Sequence, residues 1–316
     1  MAVIEVTDLR RTFVVRSKGG RLRRERREVV AVDGVSFGID AGEVVGFIGP
    51  NGAGKSTTIK MLTGILVPTS GRLHVDGLDP SRRRTELARR IGVVFGHRSG
   101  LWWDLPLRDS FALLARIYDV PRDRYRTNLA TLVELLDLAP LLDVPVRQLS
   151  LGQRMRGDIA AALLHDPPIL YLDEPTIGLD LISKARLRDF LRDLNAERGT
   201  TIMLTTHDLV DIEHICRTVM VIDAGRLVFD GDLTALQRVG GATRTVVVDL
   251  ETQLEPVRVP GTTVTRVEGP RQWLSFPAHS SAAPIVSALA AAYDVVDLSI
   301  QEPAIEDVIR LLYAAG

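Results

Sequence analysis

The chain has 316 residues, enough for two domains, and its hydrophobic fraction of 46% and charged fraction of 25% are those of a globular protein. These values argue against a disordered chain, and the one cysteine, Cys216, excludes a disulfide within the chain. The formal net charge is -1, so no overall charge attracts nucleic acid, and we expect no nucleic-acid partner.

The apolar segments bear on how the chain meets a membrane. Residues 1–11 mix acidic and basic side chains and contain no apolar run of signal-peptide length. No stretch approaches 18 consecutive apolar residues, so another chain is expected to supply any membrane span. We expect no covalent membrane anchor.

The first elements are predicted strands around one glycine-rich loop. Residues 1–13 alternate apolar and polar side chains, which is typical of a strand, and a basic run follows at 16–27. Strand patterns return at 28–32 and 35–39. The apolar stretch 43–48 is typical of a strand buried in a parallel sheet, and the loop after it leads into a helical pattern.

Short apolar strands then alternate with helical patterns. The predicted strands cover 91–95, 169–172, 201–204 and 218–222, and the predicted helices cover 129–138, 154–164 and 183–197. This order predicts an α/β fold with a mainly parallel central sheet, interrupted by a mostly helical subdomain at about 98–155. The composition changes near residue 239, so we predict one domain at 1–238 and a small α+β domain at 239–316.

A phosphate-binding loop is predicted at residues 49–57, GPNGAGKST, which fit the pattern G-x-x-x-x-G-K-[ST]. Glycines allow backbone N–H groups to surround phosphate oxygens, and the following helix adds its positive dipole end. Lysine reaches the β- and γ-phosphates, and the serine hydroxyl binds Mg²⁺. The expected nucleotide-binding residues are Gly49, Pro50, Asn51, Gly52, Ala53, Gly54, Lys55, Ser56 and Thr57.

Two acidic residues end a predicted buried strand at 169–174, ILYLDE. Asp173 is placed to bind Mg²⁺ together with Ser56, directly or through water. Glu174 is placed to polarise an attacking water as a general base. With the phosphate loop, these acids predict a nucleoside triphosphatase.

A third motif, LSLGQ at residues 149–153, precedes the helical run 154–164. With these motifs in this order, the chain resembles the ATP-binding cassette (ABC) ATPases. The resemblance implies a P-loop NTPase cassette with an antiparallel β subdomain and a helical subdomain, using ATP and Mg²⁺. It implies that Ser150, Gly152 and Gln153 contact the γ-phosphate of a second cassette in a homodimer or heterodimer. Leu151 stands where the family usually has glycine.

The resemblance assigns roles to four further residues. Asp180 ends the segment IGLD, which resembles the family's D-loop, and His207 resembles the switch histidine that contacts the γ-phosphate. Phe13 stands where the family stacks an aromatic ring on adenine, although it could equally be a core residue. His97 occupies the position of the family's Q-loop glutamine. An imidazole keeps one hydrogen bond there and makes it sensitive to pH.

Two segments resemble drug-resistance-type exporter ATPases, which work with a separate multi-span membrane permease. They are LWWDLPLRDSF, at residues 101–111, and EPAIEDVIRLLYAAG, at residues 302–316. The resemblance implies a peripheral position on the cytoplasmic face of the cell membrane. It makes Trp102 and Trp103 candidates for the groove that receives a permease helix.

Some alternatives remain open from the sequence. A soluble ATP-dependent clamp or regulator without a permease is the second functional reading. The basic run 16–27, with seven cations against one glutamate, is either a solvated loop that lengthens the first hairpin or a contact for anionic lipid headgroups. The domain at 239–316 shows no catalytic or metal-binding constellation, and similar proteins use such a domain for dimer contact or regulation.

Overall fold

The computed structural model describes residues 2–19, 23–96, 98–206, 208–237, 243–252, 255–303 and 305–315. It divides into two compact units, Met1–Asp230 and Gly231–Gly316. The division therefore precedes the boundary predicted at residue 239. The short helix at Leu233–Gln237 falls in the second unit because it packs against the helix at Ile305–Ala315.

The first unit contains two sheets. Three antiparallel strands, in the order β2-β1-β4, form the smaller sheet: β1 (Ala2–Gly19), β2 (Arg23–Asp40) and β4 (Ser70–Val75). The larger sheet has the order β5-β6-β7-β3-β8-β9 and consists of β3 (Val44–Ile48), β5 (Ile91–Phe95), β6 (Ile169–Asp173), β7 (Thr201–Thr205), β8 (Thr218–Asp223) and β9 (Arg226–Asp232). The pairings from β5 through β8 are all parallel, which confirms the predicted central sheet.

Helices connect these strands, and two short 3₁₀ turns lie at Ala139–Leu141 and Val146–Gln148. The helices are α1 (Lys55–Leu62), α2 (Arg84–Ala88), α3 (Leu107–Ile117), α4 (Arg122–Leu135), α5 (Leu151–Leu163), α6 (Leu181–Arg198) and α7 (Leu209–Ile215). The helix predicted at 129–138 is α4, which begins at Arg122, directly after Pro121. The first turns of α4 are polar, so the apolar periodicity does not indicate where this helix begins.

The parallel strands are apolar because the sheet is covered on both faces. All five residues of β3 are buried, and all five of β7 are buried as well. Phe47 and Tyr171 are fully buried side chains of the core that joins the two sheets. Carboxyl ends of parallel strands meet at one edge of a sheet, so this rigid core fixes the loops that follow β3, β6 and β7.

The basic run lengthens the first hairpin in the residues that the structure describes. β1 continues to Gly19 and pairs with β2 as far as Arg23, while β4 pairs with β1 only between Ile4 and Arg10. Strand pairing therefore continues well beyond the three-stranded sheet. At 16–19 and 23–27 the run consists of paired strands and not of an irregular loop, and its contact with anionic lipid stays a prediction.

The second unit is an α+β arrangement, as predicted. It consists of α8 (Leu233–Gln237), β10 (Thr243–Leu250), β11 (Thr263–Glu268), β12 (Arg271–Pro277), α9 (Ala283–Ala292), β13 (Val295–Gln301) and α10 (Ile305–Ala315). The strands form an antiparallel sheet in the order β11-β12-β10-β13. Val246, Phe276 and Leu289 are core residues of this unit. Among the described residues, no helix is both long and apolar enough to cross a membrane.

Candidate active site

The glycine-rich loop joins β3 to α1, and two of its glycines are required by their surroundings. Gly54 has a φ of 111°, and a Cβ on it would lie 2.5 Å from the carbonyl oxygen of Ala31. A Cβ on Gly49 would collide with the carbonyl oxygen of Ile222. The backbone of this loop therefore follows a path that side chains would block, as a phosphate cradle requires.

Lys55 places its cation inside the loop. Its side chain is buried, and Nζ donates hydrogen bonds to the carbonyl oxygens of Gly49 and Pro50, the latter at 3.1 Å. Burial lowers the pKa of Lys55, and the nearby Glu174 and Asp173 carboxylates oppose this effect. The two acids thus help the ammonium group stay charged where phosphate oxygens would bind.

The two expected Mg²⁺ ligands lie together. The Ser56 hydroxyl donates a hydrogen bond of 3.1 Å to Oδ2 of Asp173 at the end of β6. The other carboxylate oxygen, Oδ1, accepts a 2.6 Å bond from the Thr205 hydroxyl at the end of β7. Hydroxyl and carboxylate oxygens are hard donors, so this pair fits Mg²⁺. Thr205 was not predicted as a site residue, because its position depends on the register between β6 and β7.

Glu174 directly follows these oxygens in a strained backbone conformation. Its φ is 57°, and its N–H donates a 2.9 Å bond to the Thr205 carbonyl. Gly96 packs against this turn, since a Cβ there would lie 2.8 Å from the carbonyl oxygens of both Asp173 and Glu174. Gly96 was not predicted as a site residue either. A left-handed glutamate held by its neighbours is typical of a functional site.

These residues surround one cleft of about 590 Å³. Its lining residues are Pro50, Asn51, Gly52, Gly54, Lys55, Ser56, Thr57, Asp173 and Glu174. Phe13, Ser150, Gly152, Gln153 and Asp180 do not line it. The cleft can therefore receive a phosphate chain and a cation, and these five residues lie outside its lining.

Ser150 and Gln153 form the N-terminus of α5. The Ser150 hydroxyl accepts a bond from the Gln153 N–H at 3.2 Å, and Oε1 of Gln153 accepts one from the Ser150 N–H at 2.9 Å. This capping box fixes the start of the helix. The Leu151 side chain lies against Gly178, where a Cβ would be 2.5 Å from Leu151 Cδ2. The unusual leucine thus fills the space above a glycine that has a φ of 74°.

Asp180 caps α6, where its carboxylate accepts bonds from the Ser183 N–H at 2.9 Å and the Ser183 hydroxyl at 2.7 Å. These bonds hold the pKa of Asp180 below its usual range. Phe13 is partly exposed on β1, with the Arg11 guanidinium carbon 4.6 Å from the ring centroid. His97 and His207 lie outside the described residues.

Comparisons with known proteins identify the chain. The family model "ABC transporter" matches residues 32–177. The ABC transporter ATP-binding protein NatA of Bacillus subtilis (strain 168) is 34% identical over 216 residues, which are 68% of this chain and 87% of the relative. The chain belongs to the ABC transporter family. It is an ATP-binding subunit, and ABC cassettes of this kind are ATPases.

Other relatives include proteins named for export and for import. The daunorubicin resistance ATP-binding protein DrrA3 of Streptomyces coeruleorubidus is 35% identical over 285 residues, covering 88% of this ABC subunit and 89% of the relative. The methionine import ATP-binding protein MetN of Geobacillus kaustophilus (strain HTA426) is 41% identical over 209 residues, covering 65% of this chain and 61% of the relative. The family therefore does not decide the direction of transport.

Solved structures of ABC cassettes share the fold. An ATP-binding subunit of an ABC transporter is 28% identical, with a TM-score of 0.64, and the match covers 75% of this chain and 92% of that one. A dimeric cassette in a post-hydrolysis state, bound to ADP and Pi, is 26% identical with a TM-score of 0.63. That match covers 73% of this chain and 98% of the other. The predicted cassette fold is thereby confirmed.

Proposed function

We propose that this ABC subunit hydrolyses Mg-ATP in a dimer of cassettes and powers export through a separate multi-span membrane permease. The observation that carries the proposal is the convergence of Lys55, Ser56, Asp173 and Glu174 on one cleft. Export is favoured by the likeness to the daunorubicin resistance protein, which extends over both units of the chain. The chain would then act at the cytoplasmic face of the cell membrane.

Each residue of the cleft has a distinct proposed task. The loop N–H groups and Lys55 hold the β- and γ-phosphates. Ser56 and Asp173 hold Mg²⁺, which supplies charge neutralisation on the phosphate oxygens when bound. Thr205 fixes the Asp173 carboxylate through its 2.6 Å hydrogen bond. Glu174 accepts the proton of the attacking water, because its carboxylate follows the metal-binding acid directly.

The remaining contacts are proposed for the other residues that the sequence indicated. His207 stabilises the γ-phosphate, His97 takes the place of the Q-loop glutamine, and Phe13 stacks on adenine. Ser150, Gly152 and Gln153 cap the nucleotide of a second cassette, and Asp180 joins that interface. Ser150, Gly152 and Gln153 do not line the cleft of their own chain. A dimer would therefore form two composite sites, each with residues from both chains. ATP would close the dimer and hydrolysis would reopen it.

A second groove is the proposed docking place for a permease helix. Phe95, Arg98, Tyr118 and Asp158 contribute to its lining, which combines apolar walls with a few polar groups. Trp102 and Trp103 do not line the groove, although 39% and 53% of their surfaces are exposed. We propose the two exposed tryptophans as further contacts of the permease, because aromatic side chains are enriched at such interfaces.

The test is affinity purification of the tagged chain from detergent-solubilised membranes, with ATPase activity measured on the eluate. Co-elution of a multi-span permease that stimulates hydrolysis would support the proposal. Export itself would then require ATP-dependent outward movement of cargo in vesicles of known orientation. A chain that elutes alone and hydrolyses ATP without a membrane partner would favour the soluble clamp. The second unit is proposed to aid dimer contact or regulation, and its deletion should alter dimer affinity.

A further inference from the structure

A cluster of charged and hydroxyl side chains lies outside the lining of the cleft, and none of its members has a role above. We call it the Asp211 cluster; its members are Thr176, Lys184, Arg188, Thr206, Asp208 and Asp211. It joins three segments of the first unit: the turn after Glu174, helix α6, and the start of α7. All of its contacts lie within that unit.

Asp211 is fully buried at the centre of this cluster. Its Oδ2 accepts hydrogen bonds from the Thr176 hydroxyl at 2.8 Å and from the Thr206 hydroxyl at 3.1 Å. Its Oδ1 accepts a 2.6 Å bond from Nε of Arg188, whose side chain is 15% exposed. A buried carboxylate depends on such partners, so removal of one partner should disturb the geometry of the others.

The cluster holds the chain on both sides of residue 207. Thr206 bonds to Asp211, and the same hydroxyl accepts a 3.0 Å bond from the Asp208 N–H. The Asp208 carboxylate lies 2.7 Å from Nζ of Lys184 and 3.7 Å from Nη2 of Arg188. The bond from Lys184 lowers the pKa of Asp208. The residues on both sides of position 207 are therefore connected to α6 by these hydrogen bonds and ion pairs.

Helix α6 connects these residues to Asp180. Asp180 caps the helix, and Lys184 and Arg188 follow at intervals of four residues, so the three side chains lie along one helix face. A helix transmits a displacement at its start as a rigid body over two turns. Thr176, on the turn between Glu174 and Asp180, donates its hydrogen bond to the carboxylate of Asp211. A shift of this helix would therefore act on Thr206 and Asp208 through their contacts with Asp211 and Lys184.

We propose that Arg188 and Asp211 are positioning residues for His207, because their contacts hold the described residues on either side of it. The proposal rests on the proposed function for the task of His207. Neither Arg188 nor Asp211 touches the nucleotide cleft. Their effect is therefore on the turnover rate of bound ATP and not on its affinity.

The first test compares Arg188→Met with Arg192→Met in the full chain. Methionine fills most of the space of the arginine and removes the guanidinium. Arg192 lies one turn further along α6, is 58% exposed, and pairs with the exposed Asp189. Arg188→Met should lower the kcat for ATP by about ten-fold or more with less than about a three-fold change in KM, whereas Arg192→Met should change neither. Equal kcat values for Arg188→Met and the wild type would overturn the proposal.

A second measurement separates positioning from general destabilisation. If Arg188 acts through His207, Arg188→Met should cause no further loss of kcat in a His207→Ala background. Multiplied losses in the double variant would contradict the proposal. A His207→Ala variant with normal kcat would instead refute the role of His207 in the proposed function, which keeps the two failures distinct.

A conservative variant covers the case in which Arg188→Met does not fold. Thr206→Val keeps the shape of the side chain and removes the hydroxyl that bonds to both Asp211 and the Asp208 N–H. It should reproduce the loss of kcat with an almost unchanged KM. A normal kcat in Thr206→Val would overturn the proposal by itself.

Discussion

The Ser99 hydroxyl donates a 2.8 Å hydrogen bond to Oδ1 of Asp158, across 59 positions of the chain. The Gly100 N–H donates to the same oxygen at 2.9 Å. This carboxylate thereby joins the loop that follows residue 97 to α5, the helix whose start carries Ser150. The joint connects the catalytic edge of the sheet to the helical subdomain through a buried acid.

The pH dependence of this joint is the first prediction. Burial raises the pKa of Asp158 to about 6 from 3.8, against the opposing bonds from Ser99 and Gly100 and the charge of Arg154. Between these values the folded protein binds more protons than the unfolded chain, so stability falls as pH rises. The ionised carboxylate should cost the folded state up to about 3 kcal/mol above pH 6, and this cost disappears as the pH falls towards 4.

Asp158→Asn removes this titration and keeps an acceptor for Ser99. The free energy of unfolding of the variant minus that of the wild type should be larger at about pH 8 than at about pH 4.5, by about 2 kcal/mol. Urea unfolding of both proteins at the two pH values measures this difference. The control is Asp143→Asn, because that side chain is 78% exposed. A difference that does not change with pH would contradict the raised pKa.

Lys55→Met should weaken nucleotide binding at least about ten-fold, because it removes the buried cation proposed to face the β- and γ-phosphates. Equilibrium titration with a fluorescent ATP analogue gives the Kd. Lys60→Met, at the other end of the same helix α1, serves as the control and should bind normally. Equal affinity in the two variants would remove Lys55 from the phosphate site.

Glu174→Gln should keep ATP binding within about three-fold of the wild type and lower turnover by about a hundred-fold, because an amide cannot accept the proton of water. The ATP-bound variant should accumulate as a dimer, detectable by light scattering with ATP and Mg²⁺. Glu197→Gln, an exposed acid on α6, is the matched control. Rapid turnover by Glu174→Gln would assign the general base to another residue.

The β1–β2 hairpin is predicted to bind anionic lipid. It carries the basic run 16–27 beyond the three-stranded sheet, with Val14 and Val30 exposed by 59% and 50%. Each cation near such a surface contributes about 1 kcal/mol, so Arg23→Glu combined with Arg24→Glu should lower binding by about ten-fold or more. Cosedimentation with vesicles containing phosphatidylglycerol measures the loss.

The control for this prediction makes the same change of net charge elsewhere. Arg122→Glu combined with Arg126→Glu alters two exposed arginines of α4. This variant should bind the vesicles as the wild type does. If both double variants bind equally well, or if neutral phosphatidylcholine vesicles bind as strongly, the hairpin is a solvated arm.

The sequence determined the parts of this protein in which function depends on residues adjacent in the chain. The phosphate loop, the pair Asp173 and Glu174, and the segment at 149–153 each place their groups within a few residues, so residue type and order sufficed to predict them. Alternating short apolar strands and helices likewise predicted the parallel sheet, because burial on both faces imposes a local composition.

Only the tertiary structure decided which distant residues complete these motifs. Thr205 reaches Asp173 through the register of two parallel strands, and Gly96 packs against the same turn from a third strand. Arg188 and Asp211 lie 23 positions apart in the chain and meet across two helices. Strand register and helix packing arise from the whole core, so no local pattern records them. Residue type and order alone therefore predicted the phosphate-binding and metal-binding groups, and the fold supplied the side chains that hold these groups in place.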